Sequence, residues 1–274
     1  MIGQKRLLNY IKCCKDVFPR AVVIVGAPGS GKRTVCAEIA RLIDAEFAIA
    51  EGGVDAVRAL IDTAYNMTRR ILLVVPDVDD LSTAAKNALL KVVEEPPHEV
   101  YIALLASDVS HLLATLRSRC VTLTMDPYTS AELEQYAQSV GVEFGPIRDW
   151  VKVPGDINAL STYNVEEFSS FVDLVLDNLA EVSTANALKI SQRFALKNND
   201  EGYDLKLFWR ACESKLISRV ATGARADVAQ NVDALQTTSE YLSALRIKGI
   251  NKQMLLDGWL LQLRRVLCRE QNTQ

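Results

Sequence analysis

The stretch that decides the fold is AVVIVGAPGSGKRTVCAEIARLI, residues 21–43. Its first part, Ala21–Val25, is a fully apolar run rich in β-branched residues, which predicts a buried parallel strand. Its last part, Thr34–Ile43, spaces its apolar residues as a helix does. The GxxxxGK motif between them joins strand to helix, which is the context in which this motif binds phosphate groups. The stretch therefore predicts a phosphate-binding loop.

The residues of this loop are expected to hold ATP or ADP. Glycine lets the backbone curl so that several N–H groups point inward, and the N-terminus of the following helix adds positive potential. The lysine of the motif is expected to reach the outer phosphates. The residues assigned to nucleotide binding in this stretch are Gly26, Ala27, Pro28, Gly29, Ser30, Gly31, Lys32, Arg33 and Thr34.

The position after the lysine departs from a working hydrolase. It normally carries Ser or Thr, whose hydroxyl binds Mg²⁺, but here it is Arg33. Arginine cannot ligate a metal, and Thr34 points about 100° further round the helix. Either Arg33 faces solvent while Thr34 packs, or Arg33 lies on the phosphates and partly replaces the charge of the ion. The sequence thus predicts a site without its usual magnesium ligand.

A second acidic motif is also altered. Nucleotide hydrolases end a second buried strand with acidic residues, one for the Mg²⁺ shell and one for the attacking water. The matching run, Ile71–Val75, is followed by Pro76 and Asp77. Proline occupies the first acidic position, and sliding Asp77 back by one residue would turn its side chain to the opposite face. Asp77 stays the candidate for orienting water, whereas Asp79 and Asp80 also suit a solvated turn.

Strand and helix patterns alternate in the first half of the chain, and only helical patterns follow. The alternation predicts a parallel sheet with helices on both faces. A helical region is expected to open at Thr129–Val140 and to be broken at Pro154-Gly155. The further strands are expected at Glu46–Glu51, Ile71–Val75, Val100–Leu105 and Cys120–Met125, and the further helices at Val54–Tyr65 and at Thr83–Glu95, the second capped by Ser82.

The last helix has the clearest apolar face of the second half. Helical spacing aligns six of its apolar side chains on one side, which predicts that this side is buried. These residues are Leu256, Trp259, Leu260, Leu263, Val266 and Leu267.

The composition argues against several kinds of binding site and partner. The 274 residues carry a net charge of −3, which argues against a basic field over the whole molecule for gripping nucleic acid. The six cysteines form no CxxC pair and only two histidines occur, so neither a zinc site nor another metal site is expected. No apolar run reaches the ~20 residues of a membrane span. We therefore expect a cytoplasmic protein without a membrane partner.

Motifs along the first half resemble one family. The segment Asp77–Pro97, DVDDLSTAAKNALLKVVEEPP, resembles the signature in which an acidic turn leads into NALLK and ends in EEPP. Thr115–Cys120, TLRSRC, matches the TxxSRC pattern of the same family, and Ile2–Gln4 is similar to its opening IGQ. On these motifs the chain resembles the clamp-loader branch of the AAA+ proteins. This branch includes the delta-prime and gamma/tau subunits of bacterial DNA polymerase III and the small subunits of replication factor C.

The resemblance implies an architecture and partners. It implies an α/β AAA+ P-loop module, a parallel sheet flanked by helices, over residues 1–127. A small helical lid at residues 128–164 and an all-α collar domain at residues 165–274 would follow. The implied partners are the other subunits of a hetero-pentameric clamp loader, the sliding clamp and primer–template DNA. The implied location is the cytoplasm of a bacterium or of a phage-infected host.

The resemblance also assigns roles to single residues. Arg119 matches the arginine finger of the SRC motif, which acts in trans on the nucleotide of a neighbouring subunit, where it can be worth ~10³–10⁵ in rate. Ser107 lies where the family has a polar sensor near the γ-phosphate. Asn158 stands where the family's GxxR segment has its sensor arginine. With Arg33 and Pro76, this makes three losses at the phosphates, a pattern similar to delta-prime.

The preferred hypothesis is thus a non-hydrolysing, delta-prime-like subunit that binds nucleotide weakly and serves its neighbour through Arg119. An active ATPase motor subunit, with Asp77, Asp79 and Thr34 carrying the metal, is one alternative. A nucleotide-gated scaffold unrelated to clamp loading is another. Lys86 and Lys91 are candidates for contacts to the DNA backbone, although either could simply face solvent.

Overall fold

The computed structural model describes residues 2–50, 54–66, 69–194, 202–223, 225–245, 247 and 249–268. The chain divides into two compact units. The first contains Met1–Tyr136 and Val153–Gly155, and the second contains Ala137–Lys152 and Asp156–Gln274. The three-part division at residues 127 and 164 stays a prediction.

The first unit is built on a five-stranded sheet in which every neighbouring pair of strands is parallel. The strand order is β2-β3-β4-β1-β5, so β1 lies between β4 and β5. The strands are β1 Ala21–Val25, β2 Glu46–Ile49, β3 Ile71–Val75, β4 Val100–Ala106 and β5 Val121–Thr124.

Helices cover both faces of the sheet. Successive side chains of a strand point to opposite faces, so β1 contributes residues to an apolar cluster on each face. Val22 and Ile24 of β1 belong to one apolar cluster, with residues of helices α1 and α2. Val23 and Val25 belong to the other, with residues of α3, α4 and α5. The α-helices from α1 to the helix that follows β5 are α1 Lys5–Cys14, α2 Lys32–Leu42, α3 Val54–Asn66, α4 Thr83–Glu94, α5 Ala114–Arg117 and α6 Ser130–Ser139.

In the described part of the chain after α6, the regular elements are helical apart from one isolated bridge between Phe194 and Tyr203. The helices are α7 Pro154–Leu160, α8 Val165–Asn178, α9 Thr184–Lys189, α10 Leu205–Thr222, α11 Arg225–Ala244 and α12 Lys252–Leu267. The fully buried aromatic side chains of this region include Phe168, Phe208, Trp209 and Trp259. Among the described helices, none combines the length and apolarity that crossing a bilayer requires.

Most predicted elements are present. The bounds of β1 and β3 coincide with the predicted apolar runs, and Ser82 caps α4 by accepting a hydrogen bond from the backbone N–H of Ala85 at 3.2 Å. The predicted strand at Glu46–Glu51 begins as expected and ends at Ile49, and Glu51 lies outside the described residues. On the predicted apolar face of α12, Leu267 is half-buried and the other five residues are buried.

One boundary prediction was wrong. Pro154-Gly155 was expected to break a helical region, but Pro154 is the first residue of α7. The first helical position tolerates proline, because its missing N–H would have no partner in the helix and its fixed φ already suits a helix.

Candidate nucleotide site and exposed arginine

The phosphate loop, Gly26–Gly31, follows β1 at the carboxyl edge of the sheet and leads into α2. The connection from β1 to β2 runs past β4 and β3 toward one edge of the sheet, whereas the connection from β4 to β5 runs past β1 toward the opposite edge. The crevice at such a reversal is where open parallel sheets bind ligands. Gly26 is anchored there, because its N–H donates to the carbonyl of Ala106 at the end of β4, at 3.1 Å.

The loop has the conformation that its glycines allow. Gly29 and Gly31 have φ values of 79° and 88°, in the left-handed region where a side chain would be strained. Gly31 is the N-cap of α2, and no side chain caps this helix end. The first backbone N–H groups of α2 are therefore left to other acceptors, as an anion site at a helix N-terminus requires.

Lys32 folds back onto this loop. Its ammonium donates to the carbonyl of Gly26 at 2.5 Å and to that of Ala27 at 3.2 Å. Burial lowers the pKa of Lys32 from its usual value by disfavouring the charged form, and the carboxylates of Asp77 and Asp79 act in the opposite direction. The lysine and both carboxylates thus share one electrostatic environment.

A second segment of the first unit, Val153–Gly155, contacts the phosphate loop. The N–H of Gly155 donates to the carbonyl of Gly29 at 3.0 Å, and a Cβ built on Gly155 would lie 2.6 Å from the Cα of Gly29. The hydroxyl of Tyr128 donates to the carbonyl of Ser30 at 2.7 Å. The sequence did not predict these contacts, since Gly155 and Tyr128 had no assigned role at the loop.

The residues at the two magnesium positions do not fit a magnesium ion. Arg33 and Thr34 are exposed at the start of α2, and a guanidinium repels a cation. Pro76 supplies no oxygen ligand from its side chain. Asp77 is exposed and has a φ of 48°, so the chain turns sharply directly after β3. The loop backbone offers N–H groups to phosphate, whereas neither Arg33 nor Pro76 supplies a side-chain oxygen to a metal ion.

Ser107 is held by an aspartate. The carboxylate of Asp79 accepts hydrogen bonds from both the backbone N–H and the hydroxyl of Ser107, each at 2.6 Å. This contact joins the turn after β3 to the end of β4. Asp79 therefore has a defined contact beside the predicted nucleotide site, where the sequence also allowed a solvated turn.

Arg119 lies at the surface just before β5. Its Nε forms an ion pair with Oε1 of Glu94 at 2.6 Å. Its Nη1 donates to the carbonyl of Thr115 at 2.9 Å and to Oγ of Ser118 at 3.3 Å. The arginine predicted to act in trans is therefore accessible and is held by residues of its own chain. Glu94, the first glutamate of EEPP, was not singled out from the sequence.

The two lysines predicted to contact DNA differ in surroundings. Lys86 is half-buried, and its ammonium donates to the carbonyl of Asp79 at 3.2 Å. Lys91 is exposed on α4. Asn158, at the predicted sensor position, is exposed on α7 in the second unit. Among the described residues, no group of three His, Cys, Asp or Glu side chains is arranged to hold a metal ion.

The parallel order, the phosphate loop and the following helices define the class as a P-loop AAA+ fold. A solved DNA polymerase III gamma subunit-related protein from Thermotoga maritima superposes with a TM-score of 0.53 at 17% identity, covering 94% of this chain and 99% of that chain. A RuvB mutant from the same organism superposes with a TM-score of 0.50 at 15% identity, covering 94% and 89%. At these identities the likeness concerns the fold alone.

Residues 52–129 match the family described as DNA polymerase III, delta subunit. The DNA polymerase III subunit delta' of Yersinia pestis is 45% identical over 71 residues, 25% of this chain and 21% of that protein. The delta' subunit of Escherichia coli is 42% identical over 88 residues, 31% of this chain and 25% of that protein. The gamma subunit of Buchnera aphidicola is 28% identical over 116 residues, 40% and 32%. Over these residues the chain is similar to clamp-loader AAA+ proteins, and to delta' subunits among them.

The similarity in sequence is confined to part of each protein. The alignments span between 21% and 32% of the length of these three relatives. The similarity therefore concerns the AAA+ module, and the activity and partners of the whole protein are proposals.

Proposed function

We propose that this chain is a clamp-loader subunit of the delta-prime kind, which serves DNA replication without completing ATP hydrolysis itself. In this proposal it supplies Arg119 to the nucleotide site of a neighbouring ATPase subunit. Its partners would be the other subunits of a hetero-pentamer, a sliding clamp and primer–template DNA. The location would be the cytoplasm.

One observation carries the proposal: the phosphate loop is well formed while the groups that should act beside it are replaced. Gly29 and Gly31 have the backbone conformation that a phosphate cradle needs, but Arg33 and Pro76 stand at the two magnesium positions. ATP or ADP would be held by backbone N–H groups of the loop, with Lys32 moving from the carbonyls of Gly26 and Ala27 to the phosphates. Without a metal ligand set, the charge that develops in phosphoryl transfer stays uncompensated.

Arg119 can act on a nucleotide bound elsewhere. Its side chain is 39% exposed just before β5. A guanidinium aimed at a transferring phosphoryl group neutralises charge that is larger in the transition state than in the ground state, so it raises the rate. This role needs no catalytic residue from the chain's own site.

The direct test is ATP turnover by the purified chain, with and without primer–template DNA, and then in the assembly with its co-purified partner subunits. We expect no turnover above background from the isolated chain. We expect Arg119→Ala to lower turnover of the assembly by about 10³-fold, while Arg117→Ala, two residues away, leaves it unchanged. DNA-stimulated turnover by the chain alone would overturn the proposal of an inactive site.

One observation favours the second candidate, an active motor subunit. Asp77 and Asp79 both act on the charge of Lys32, so two carboxylates accompany the phosphate-binding lysine. In a motor they would have to carry the metal together with Thr34. Magnesium-dependent turnover by the isolated chain that disappears in Lys32→Ala would establish that candidate. Failure of the chain to co-purify with any clamp or loader subunit would instead favour the scaffold.

A further inference from the structure

The guanidinium of Arg119 is held on two of its three nitrogens. Glu94 contacts Nε at 2.6 Å, and the carbonyl of Thr115 accepts from Nη1 at 2.9 Å. In the part of the chain that the structure describes, no residue accepts a hydrogen bond from Nη2. The arrangement fixes the plane of the guanidinium and leaves one nitrogen to face another molecule.

Glu94 is placed to keep this arrangement. It is the last residue of α4, where the C-terminal end of the helix carries partial negative charge and disfavours a carboxylate. An arginine beside Glu94 compensates for this charge. Thr115 and Arg117 belong to α5, which packs against α4, so one carboxylate links the end of α4 to the arginine that follows α5.

We propose that Glu94 is a positioning residue for Arg119, which orders the guanidinium before the neighbouring subunit is engaged. The inference rests on the proposed function, because it concerns how the trans-acting arginine is presented. Glu94 holds Nε, the carbonyl of Thr115 holds Nη1, and Nη2 is presented to the phosphates of the neighbour's nucleotide.

The ion pair is weak enough to adjust on docking. The side chains of Arg119 and Glu94 are 39% and 45% exposed, and exposed pairs contribute little to stability because water screens them. Their effect lies in conformational entropy, since an arginine already restricted to few rotamers loses less freedom when it meets its target. The benefit therefore appears in the turnover of the assembly rather than in the stability of the chain.

The first measurement follows Arg119 itself in the full-length chain. The Nε–H signal of Arg119, assigned by its loss in Arg119→Lys, is expected to report a restricted side chain in heteronuclear NOE experiments. Glu94→Gln should make this side chain mobile. Glu95→Gln, which removes the same charge at the next exposed residue, should leave it restricted. Equal mobility in the two glutamine variants would overturn the inference independently of any catalytic role.

The second measurement is ATP turnover of the assembled loader. Glu94→Gln is expected to lower kcat by about 2- to 10-fold, with an unchanged KM for ATP, since only the ordering of one long side chain is lost. Glu95→Gln should be neutral. In an Arg119→Ala background, Glu94→Gln should have no further effect, because the residue it positions is gone.

The outcomes separate the inference from the function. If Arg119→Ala suppresses turnover but Glu94→Gln equals Glu95→Gln, the inference is overturned and the proposed function stands. If Glu94→Gln lowers turnover equally in the Arg119→Ala background, Glu94 acts on the structure and the inference is also overturned. If Arg119→Ala leaves turnover unchanged, the proposed function fails, and the positioning role in turnover fails with it.

Discussion

Adding one methyl group at Gly155 tests its contact with Gly29 of the phosphate loop. A Cβ on Gly155 would lie 2.6 Å from the Cα of Gly29 and 3.1 Å from its carbonyl oxygen, and backbone atoms cannot move aside as a flexible side chain can. We expect Gly155→Ala to lower the free energy of unfolding by about 1–3 kcal/mol, because overpacking outweighs the gain in helix propensity. Urea unfolding at constant pH measures this difference.

Gly145 is the matched control for that experiment. A Cβ built on Gly145 meets nothing within 4 Å, so Gly145→Ala should stay within about 0.5 kcal/mol of the original chain. Equal effects of the two substitutions would mean that the backbone contact between Gly155 and Gly29 does not constrain the loop.

The link between Asp79 and Ser107 gives a second test at the scale of residues. Asp79→Ala removes the acceptor for two hydrogen bonds, whereas Ser107→Ala removes only the hydroxyl donor. The double variant should be less destabilised than the sum of the two by about 1 kcal/mol, which is the usual net value of one such bond. Additive losses in urea unfolding would show that the hydroxyl contributes nothing through this pair.

The sequence predicted residue types at the site better than it predicted their contacts. Arg33 and Pro76 are local departures from a motif, so they are visible in one stretch of sequence. The contact of Asp79 with Ser107 joins residues 28 positions apart, and that of Glu94 with Arg119 joins two separate motifs. Such contacts depend on the order of the strands and on helix packing, and no local pattern reports them.

At the scale of elements, continuous apolar runs were a reliable guide to buried strands. The runs at Ala21–Val25 and Ile71–Val75 are buried along their whole length, as both faces of the sheet are covered. The ends were less predictable. Pro154 begins α7, because a proline disrupts a helix only after the first turn.

A buried polar contact joins α11 to α12. Trp259 Nε1 donates to Oγ1 of Thr238 at 3.2 Å, and that hydroxyl donates to the carbonyl of Ala234 at 2.8 Å. Thr238→Val keeps the shape but leaves a buried indole N–H without its acceptor. We expect a loss of about 1–3 kcal/mol in the free energy of unfolding.

The same loss should be smaller when the indole is absent. In a Trp259→Phe background no N–H has to be satisfied, so Thr238→Val should cost about 1 kcal/mol less than it does in the original chain. An identical cost in both backgrounds would mean that the threonine acts by packing alone.

At the scale of the whole molecule, the sequence predicted the type of structure in each half better than the path of the chain. A helical second half was predicted, and helices form it in the described residues. The short return of Val153–Gly155 to the first unit was not predicted. A return of three residues buries too little apolar surface to leave a periodic pattern, and here it is fixed by a backbone hydrogen bond to Gly29.

Net charge sets the expectation for DNA binding by the isolated chain. With 31 basic and 34 acidic residues the molecule has no overall attraction for a polyanion, so binding must come from a few local contacts and should be weak. Anisotropy of labelled primer–template DNA over a series of salt concentrations measures both the affinity and the number of phosphate contacts.

Lys91→Ala should make the slope of log K against log salt shallower by about one unit, whereas Lys12→Ala, which changes an exposed lysine on α1, should leave the slope unchanged. Lys86→Ala should change the slope less than Lys91→Ala, because the ammonium of Lys86 already binds the carbonyl of Asp79. If Lys12→Ala and Lys91→Ala give equal slopes, α4 makes no particular contact with the DNA backbone.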